Sequence, residues 1–127
     1  MAVPEVITGP NMPKALGPYS HAVRVGDLVF VSGQGGIDAS GAIAGETFEA
    51  QARQAFENLS LVLNAAGSGL QYVAKTTVYM ANVADFPKLN ELFTEFFPNN
   101  PPTRAVPVVA LPRGLLISIE VIATIPD

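Results

Sequence analysis

The segment PPTRAVPVVALPRGLLISIEVIA, residues 101–123, carries the side chains best suited to chemistry. Arg104 opens a long apolar run and has no acidic residue within several positions. A guanidinium keeps its charge and five N–H donors, so burying it without a partner is costly. It must stay at a wet edge or be met by an anion. Its planar fork suits a small carboxylate through two parallel bonds, a geometry that lysine cannot reproduce. In the last apolar run, period-2 alternation puts Leu116, Ser118, Glu120 and Ile122 on one face. Ser118 and Glu120 are the only polar residues of that ribbon, roughly 7 Å apart by the rise of a strand. Glu120 offers a carboxylate for acid–base work or an ion pair; Ser118 offers a hydroxyl but no carboxylate base. Two readings of Arg104 stand together. One is a structural Arg104–Glu120 ion pair holding the hairpin or a subunit contact, with Arg104 approaching that face from a neighbouring hairpin strand. The other is an open site for a carboxylate ligand.

Other candidates lie upstream. GPYS presents Tyr19 from a turn, where packing at the surface is the ordinary role. FVSGQGG ends a strand with Ser32 and Gly33, small residues that let a ligand approach the backbone and offer amides to an anion. Its glycines match neither a dinucleotide nor a phosphate-loop fingerprint, because no helix follows directly. His21 reads as a hydrogen-bonded structural residue, and a single histidine beside Tyr19 and Ser20 makes no nucleophilic triad. Asn90 matters only if its helix turns it toward the same cleft.

Elements must place these groups. EVIT, residues 5–8, reads as a short strand, followed by the loop GPNMPKALGPYS. HAVRV and LVFVSG, joined by Gly26-Asp27, read as a hairpin. From Thr47 to Ala66 apolar residues recur at helical spacing, with Thr47 as N-cap, Glu49 in the first turn and Gly67 past the end. YVAKTTVYMAN is rich in β-branched and aromatic residues and reads as a strand. Asp85 is placed to cap a second helix, FPKLNELFTEFF, with Pro87 in its first turn and PNNPP stopping it. RAVPVVAL and LLISIEVIAT read as two last strands around PRG. The predicted order is β-β-β-α-β-α-β-β, an α+β two-layer domain over residues 1–127 with two helices on one face of a mixed sheet. The other face reads as apolar and in need of cover by another subunit.

Composition narrows the function classes. The chain has 127 residues, enough for one core, with 49% hydrophobic and only 14% charged residues, against about 25% charged in ordinary domains. So little charge favours a symmetric oligomer. The net charge of −4 and scattered Lys and Arg weaken a nucleic-acid reading. With no cysteine and one histidine, disulfide, thiolate and His- or Cys-based metal chemistry fall away. No apolar run reaches membrane-spanning length and no secretory signal opens the chain, so a cytoplasmic location is expected.

Taken in order, GPYSHAV, DLVFVSGQ, TFEAQARQAFENLSLVLNAAG, VAKTTVYMANVADFPKLNELFTEFF and PPTRAV…LPRG…IEVIA resemble the RidA (YjgF-like) imine deaminase family over nearly the whole chain. The resemblance implies a homotrimer with a chorismate-mutase-like fold, a central barrel of three sheets and clefts between subunits. It implies hydrolysis of small reactive 2-imino acids to 2-keto acids and ammonia without metal or cofactor, a form of metabolite damage control. In that family the arginine matching Arg104 grips the substrate carboxylate, and the tyrosine matching Tyr19 closes the cleft from the adjacent subunit. The residues matching Ser32, Gly33 and Asn90 line it, and the one matching Val106 supplies a backbone amide.

Two departures bear on catalysis. Where the family's last strand reads I-E-I-E-A-I-A, with a first glutamate that positions the attacking water, this chain has Ser118 and keeps only the second glutamate, as Glu120. Between Arg104 and LPRG the chain is one residue shorter than the family pattern, and Pro107 interrupts the strand. The expectations are therefore an imine deaminase, a small keto- or imino-acid binding protein of the same fold weakened at Ser118, and, least supported, an endoribonuclease.

Overall fold

A computed structural model describes residues 3–127. Its strands are β1 (Glu5–Val6), β2 (Ala22–Val25), β3 (Leu28–Gly35), β4 (Val73–Met80), β5 (Thr103–Ala105) and β6 (Ile117–Thr124). Its helices are α1 (Phe48–Ala65), between β3 and β4, and α2 (Phe86–Phe96), between β4 and β5. The order is the predicted one, and the strands form one mixed sheet in the order β1-β2-β3-β6-β4-β5.

Local chemistry sets the elements. Gly26, at φ +59, turns β2 into β3 and pairs Val25 with Leu28. Thr47 accepts from the Ala50 amide at 3.1 Å and caps α1, and Gly67, at φ +80, ends it. At α2 the capping differs from expectation. Asp85 makes no side-chain cap bond; Asn82 accepts from the Ala84 amide at 2.9 Å and starts a 3-10 turn, Val83–Asp85, that leads into the helix. Asp85 sits in the αR region at φ −84 and ψ 0, already inside the winding chain.

The last two strands are not a hairpin. β5 pairs in parallel with β4 at the sheet edge, while β6 lies in the middle, antiparallel to both β3 and β4. Ile117, Ile119, Val121 and Ala123 of β6 are buried against the helices, a load that only a central strand can carry. β5 ends before Pro107, which lacks the N–H a ladder needs. The register nevertheless survives: Thr77 pairs with Ala105, and Met80 pairs with Val108, the same offset of 28 on both sides. The proline breaks the strand without shifting it.

Both helices share one core with the sheet. Phe56 of α1 is fully buried and stacks on Phe96 at 4.4 Å, with Phe93 and Phe97 around it. Arg53 bridges Glu49 and Glu95 across the outside of the helix pair. The opposite face of the sheet carries no helix. It exposes Leu28 and Phe30 at about two-fifths of their area, as the apolar expectation required, but Lys75, Thr77, Tyr79 and Glu120 make it more polar than predicted.

Candidate functional site

The candidate residues fall into two groups on one chain. The first is built on a bulge in β3. Val31 pairs with Val121 and Gln34 with Ile119, so Ser32 and Gly33 together face a single β6 residue. That residue is Glu120, on the helix-free side, and Gly33 also lies against Ser118. A Cβ on Gly33 would meet Ser118 Oγ at 2.5 Å, so only glycine admits this approach. The Ser32 hydroxyl donates to Ser20 O at 2.7 Å, and its amide donates to His21 O at 2.8 Å, tying the bulge to the turn that carries Tyr19. Tyr19, Ser32, Gly33 and Ser118 line one cleft of about 580 Å³.

Sequence reasoning missed part of this cleft. His21, Gln34, Asp38, Lys14 and Arg113 also line it. Gln34 is buried, and its amide NH₂ donates to Ser32 O at 3.0 Å and faces His21 Nδ1 at 3.1 Å. The other ring nitrogen, Nε2, is buried without a hydrogen-bond partner among the described residues, and the His21 and Tyr19 rings meet edge to face at 5.7 Å. Asp38 closes its own turn, accepting from the Ser40 hydroxyl at 2.6 Å and from the Ser40 and Ala42 amides. Those bonds, the hydroxyl first, hold its carboxyl below the ordinary range. Gln34 lies in β3 at the bulge, and the loops that bring in the others carry no periodic pattern, which is why no sequence signal marked them.

The second group is at the far edge. Arg104 pairs in register with Thr76, whose side chain is buried toward the helices, so Arg104 lies on the helix side of the sheet. Its guanidinium sits 5.0 Å from the Phe93 ring centre and 5.3 Å from that of Phe86, and donates to Asn90 Oδ1 at 2.9 Å. Asn90 is thus turned to the arginine, which remains exposed, and no ion pair among the described residues includes it. Val106, next but one, packs partly into the core.

This settles the sequence alternatives for the isolated chain. Arg104 is not paired with Glu120; β4 separates their strands, and they lie on opposite faces. Glu120 instead accepts from the Tyr79 hydroxyl at 2.6 Å, which pushes the Tyr79 phenol above its ordinary value. It lies outside the Ser118 cleft, in a shallow depression with Phe30, Lys75 and Thr77. Ser32 and Gly33 group with Tyr19, and Asn90 groups with Arg104. Among the described residues no three His, Asp or Glu side chains are gathered as a metal would need, and no helix is long and apolar enough to cross a membrane.

Comparisons with known proteins follow this geometry. Residues 9–125 match the family model described as Endoribonuclease L-PSP. A RutC family protein of Pyrococcus horikoshii is 45% identical over 121 residues, covering 94% of this chain and 96% of that protein. The human 2-iminobutanoate/2-iminopropanoate deaminase is 42% identical over 120 residues, covering 93% of this chain and 88% of its own. Escherichia coli TdcF, solved with bound serine, superposes with a TM-score of 0.88 at 34% identity, covering 94% of this chain and 98% of that one.

Proposed function

From the premise that the chain belongs to the RidA (YjgF-like) family, the family of the Endoribonuclease L-PSP model, we propose that it hydrolyses small reactive 2-imino acids to 2-keto acids and ammonia. The two groups of residues are the two walls of one composite cleft in a homotrimer. Arg104 and Asn90 come from one protomer, and Tyr19, Ser32, Gly33 and Ser118 from its neighbour. The observation that carries this reading is an exposed guanidinium beside two aromatic rings with a neutral amide as its only side-chain hydrogen-bond partner among the described residues. Such a group has donors to spare for a carboxylate. The names of the human deaminase and of serine-bound TdcF point to the same class of ligand.

The chemistry asks little of the protein. Water adds to the imine carbon, the nitrogen takes protons, and the C–N bond breaks to leave the keto acid and ammonia. This reaction proceeds slowly in water alone, so orientation in a partly dry cleft supplies the acceleration. Arg104 fixes the carboxylate, the Val106 backbone lies beside it, and Ser118 holds the water by its hydroxyl. The protein, given 2-iminopropanoate made from serine by a threonine dehydratase, is expected to form keto acid faster than buffer does. A rate equal to that of buffer removes the proposal for this substrate.

A second reading has its own observation. Ser118 supplies no carboxylate, and Glu120 is engaged by Tyr79 away from the cleft. On this reading the protein binds a small keto or imino acid without turning it over. Titration with 2-oxobutanoate separates the two: binding with no imine hydrolysis selects the binding protein. Ribonuclease activity has behind it the family description and the names of two solved relatives called putative endoribonucleases, in a chain of net charge −4.

A further inference from the structure

The distribution of positive charge is uneven in a way the proposed reaction does not use. Acidic residues outnumber basic ones eleven to seven, so each cation has acids available. Arg24, Arg53 and Lys88 take them. Lys14, Lys75, Arg104 and Arg113 form no ion pair among the described residues. Two of these four, Lys14 and Arg113, line the cleft that holds Ser118, and both are exposed at its mouth. The cleft's one acid, Asp38, takes three hydrogen bonds from its own turn on Oδ1 and forms no ion pair with either cation among the described residues.

Arg113 is also held in an unusual conformation. Its φ of +60 and ψ of 15 place it in the left-handed region, where glycine or asparagine would fit at less cost. Its guanidinium donates to Gly41 O at 3.2 Å, which leaves further donors over a cleft walled by Leu16, Ile37 and Leu115. Arg113 is exposed but held over the cleft by a strained backbone and one carbonyl anchor, and it is in no ion pair among the described residues. A three- or four-carbon imino acid has a single carboxylate, which Arg104 of the neighbour takes. Two cations then remain over.

We infer that the cleft takes a 2-imino or 2-keto acid bearing a second carboxylate, held by Arg113 with Lys14 beside it. The inference rests on the reading of the cleft as a 2-imino-acid site and narrows its substrate class. The second carboxylate needs a chain of a few carbons to run along the apolar wall from Ser118 to the mouth.

Calorimetric titration of the intact protein with 2-oxoglutarate and 2-oxobutanoate tests it without requiring turnover. The dicarboxylate is expected to bind about tenfold more tightly, the contribution of one charge-assisted contact. In Arg113→Gln the ratio of the two affinities is expected to fall to about one, and in wild type it should shrink as salt is raised. If Arg113→Gln does not fold, Lys14→Gln is expected to lower the same ratio by a smaller factor. Equal or tighter binding of 2-oxobutanoate, an Arg113→Gln effect common to both ligands, or no binding of either overturns the inference. Imine hydrolysis is measured separately. Preference without hydrolysis removes the deaminase reading and leaves this one, and hydrolysis without preference does the reverse.

Discussion

Arg104 is a cation positioned by aromatic rings. Phe93 lies under it and also packs against Phe56, so the helix core fixes where the guanidinium points. Arg104→Lys keeps the charge and loses the fork, and kcat/KM for 2-iminopropanoate is expected to drop roughly 10- to 100-fold, the loss of one or two charge-assisted bonds. Single-substrate kinetics of the two proteins measures it. Ser118→Glu places a carboxylate beside the bulge and is expected to raise kcat more than it changes KM; no gain in kcat would mean that Ser118 is not a missing water-positioning group. The unpaired state of Arg104 was legible in the sequence, as a charge opening an apolar run with no acid nearby. Its hydrogen-bond partner was not. Asn90 lies fourteen residues upstream on a helix, and nothing in its spacing told that the helix turns it toward β5.

At the scale of elements, the regular parts were readable because their periodicity is strong. The Thr47-capped helix and the Gly26-Asp27 hairpin appear where predicted, since capping and turn chemistry act within a few residues. The last strand pair misled because adjacency in sequence suggested adjacency in space. Nothing local says that β6 inserts between β3 and β4, which is a decision of the whole core. Thr47→Ala removes one cap bond and is expected to cost about 1 kcal/mol in chemical denaturation, with ligand binding unchanged. Gly33→Ala acts at the site instead. Its Cβ would meet Ser118 Oγ at 2.5 Å, so the Ser118 hydroxyl must turn away or the strands must shift at the bulge. Weaker binding of 2-oxobutanoate together with a lower melting temperature is the expected result.

For the whole molecule, the proposed composite cleft makes function depend on a neighbour. Arg104→Ala and Gly33→Ala chains should each be inactive alone. Refolded together in equal amounts, they are expected to recover about a quarter of wild-type turnover, because one random pairing in four unites two intact walls. No recovery would place both walls in one protomer. Acid stability has a visible source as well. Arg53 holds the carboxyls of Glu49 and Glu95 below their ordinary value of 4.5, so their contribution is present above that pH and is lost as pH falls through the lowered values. Melting temperature is expected to fall below about pH 4.5, with a shallower slope in Glu95→Gln. A trimer is expected only from the resemblance and a low charge content, since subunit contacts leave no periodic trace in one chain. The sheet itself limits what kinds of assembly are open. Its two margins are β1, of two residues, and β5, of three residues with Pro107 just beyond. Neither border is long enough to template a further strand, so copies cannot be added edge to edge into a growing fibre, and association is directed to the broad faces, where a ring can close.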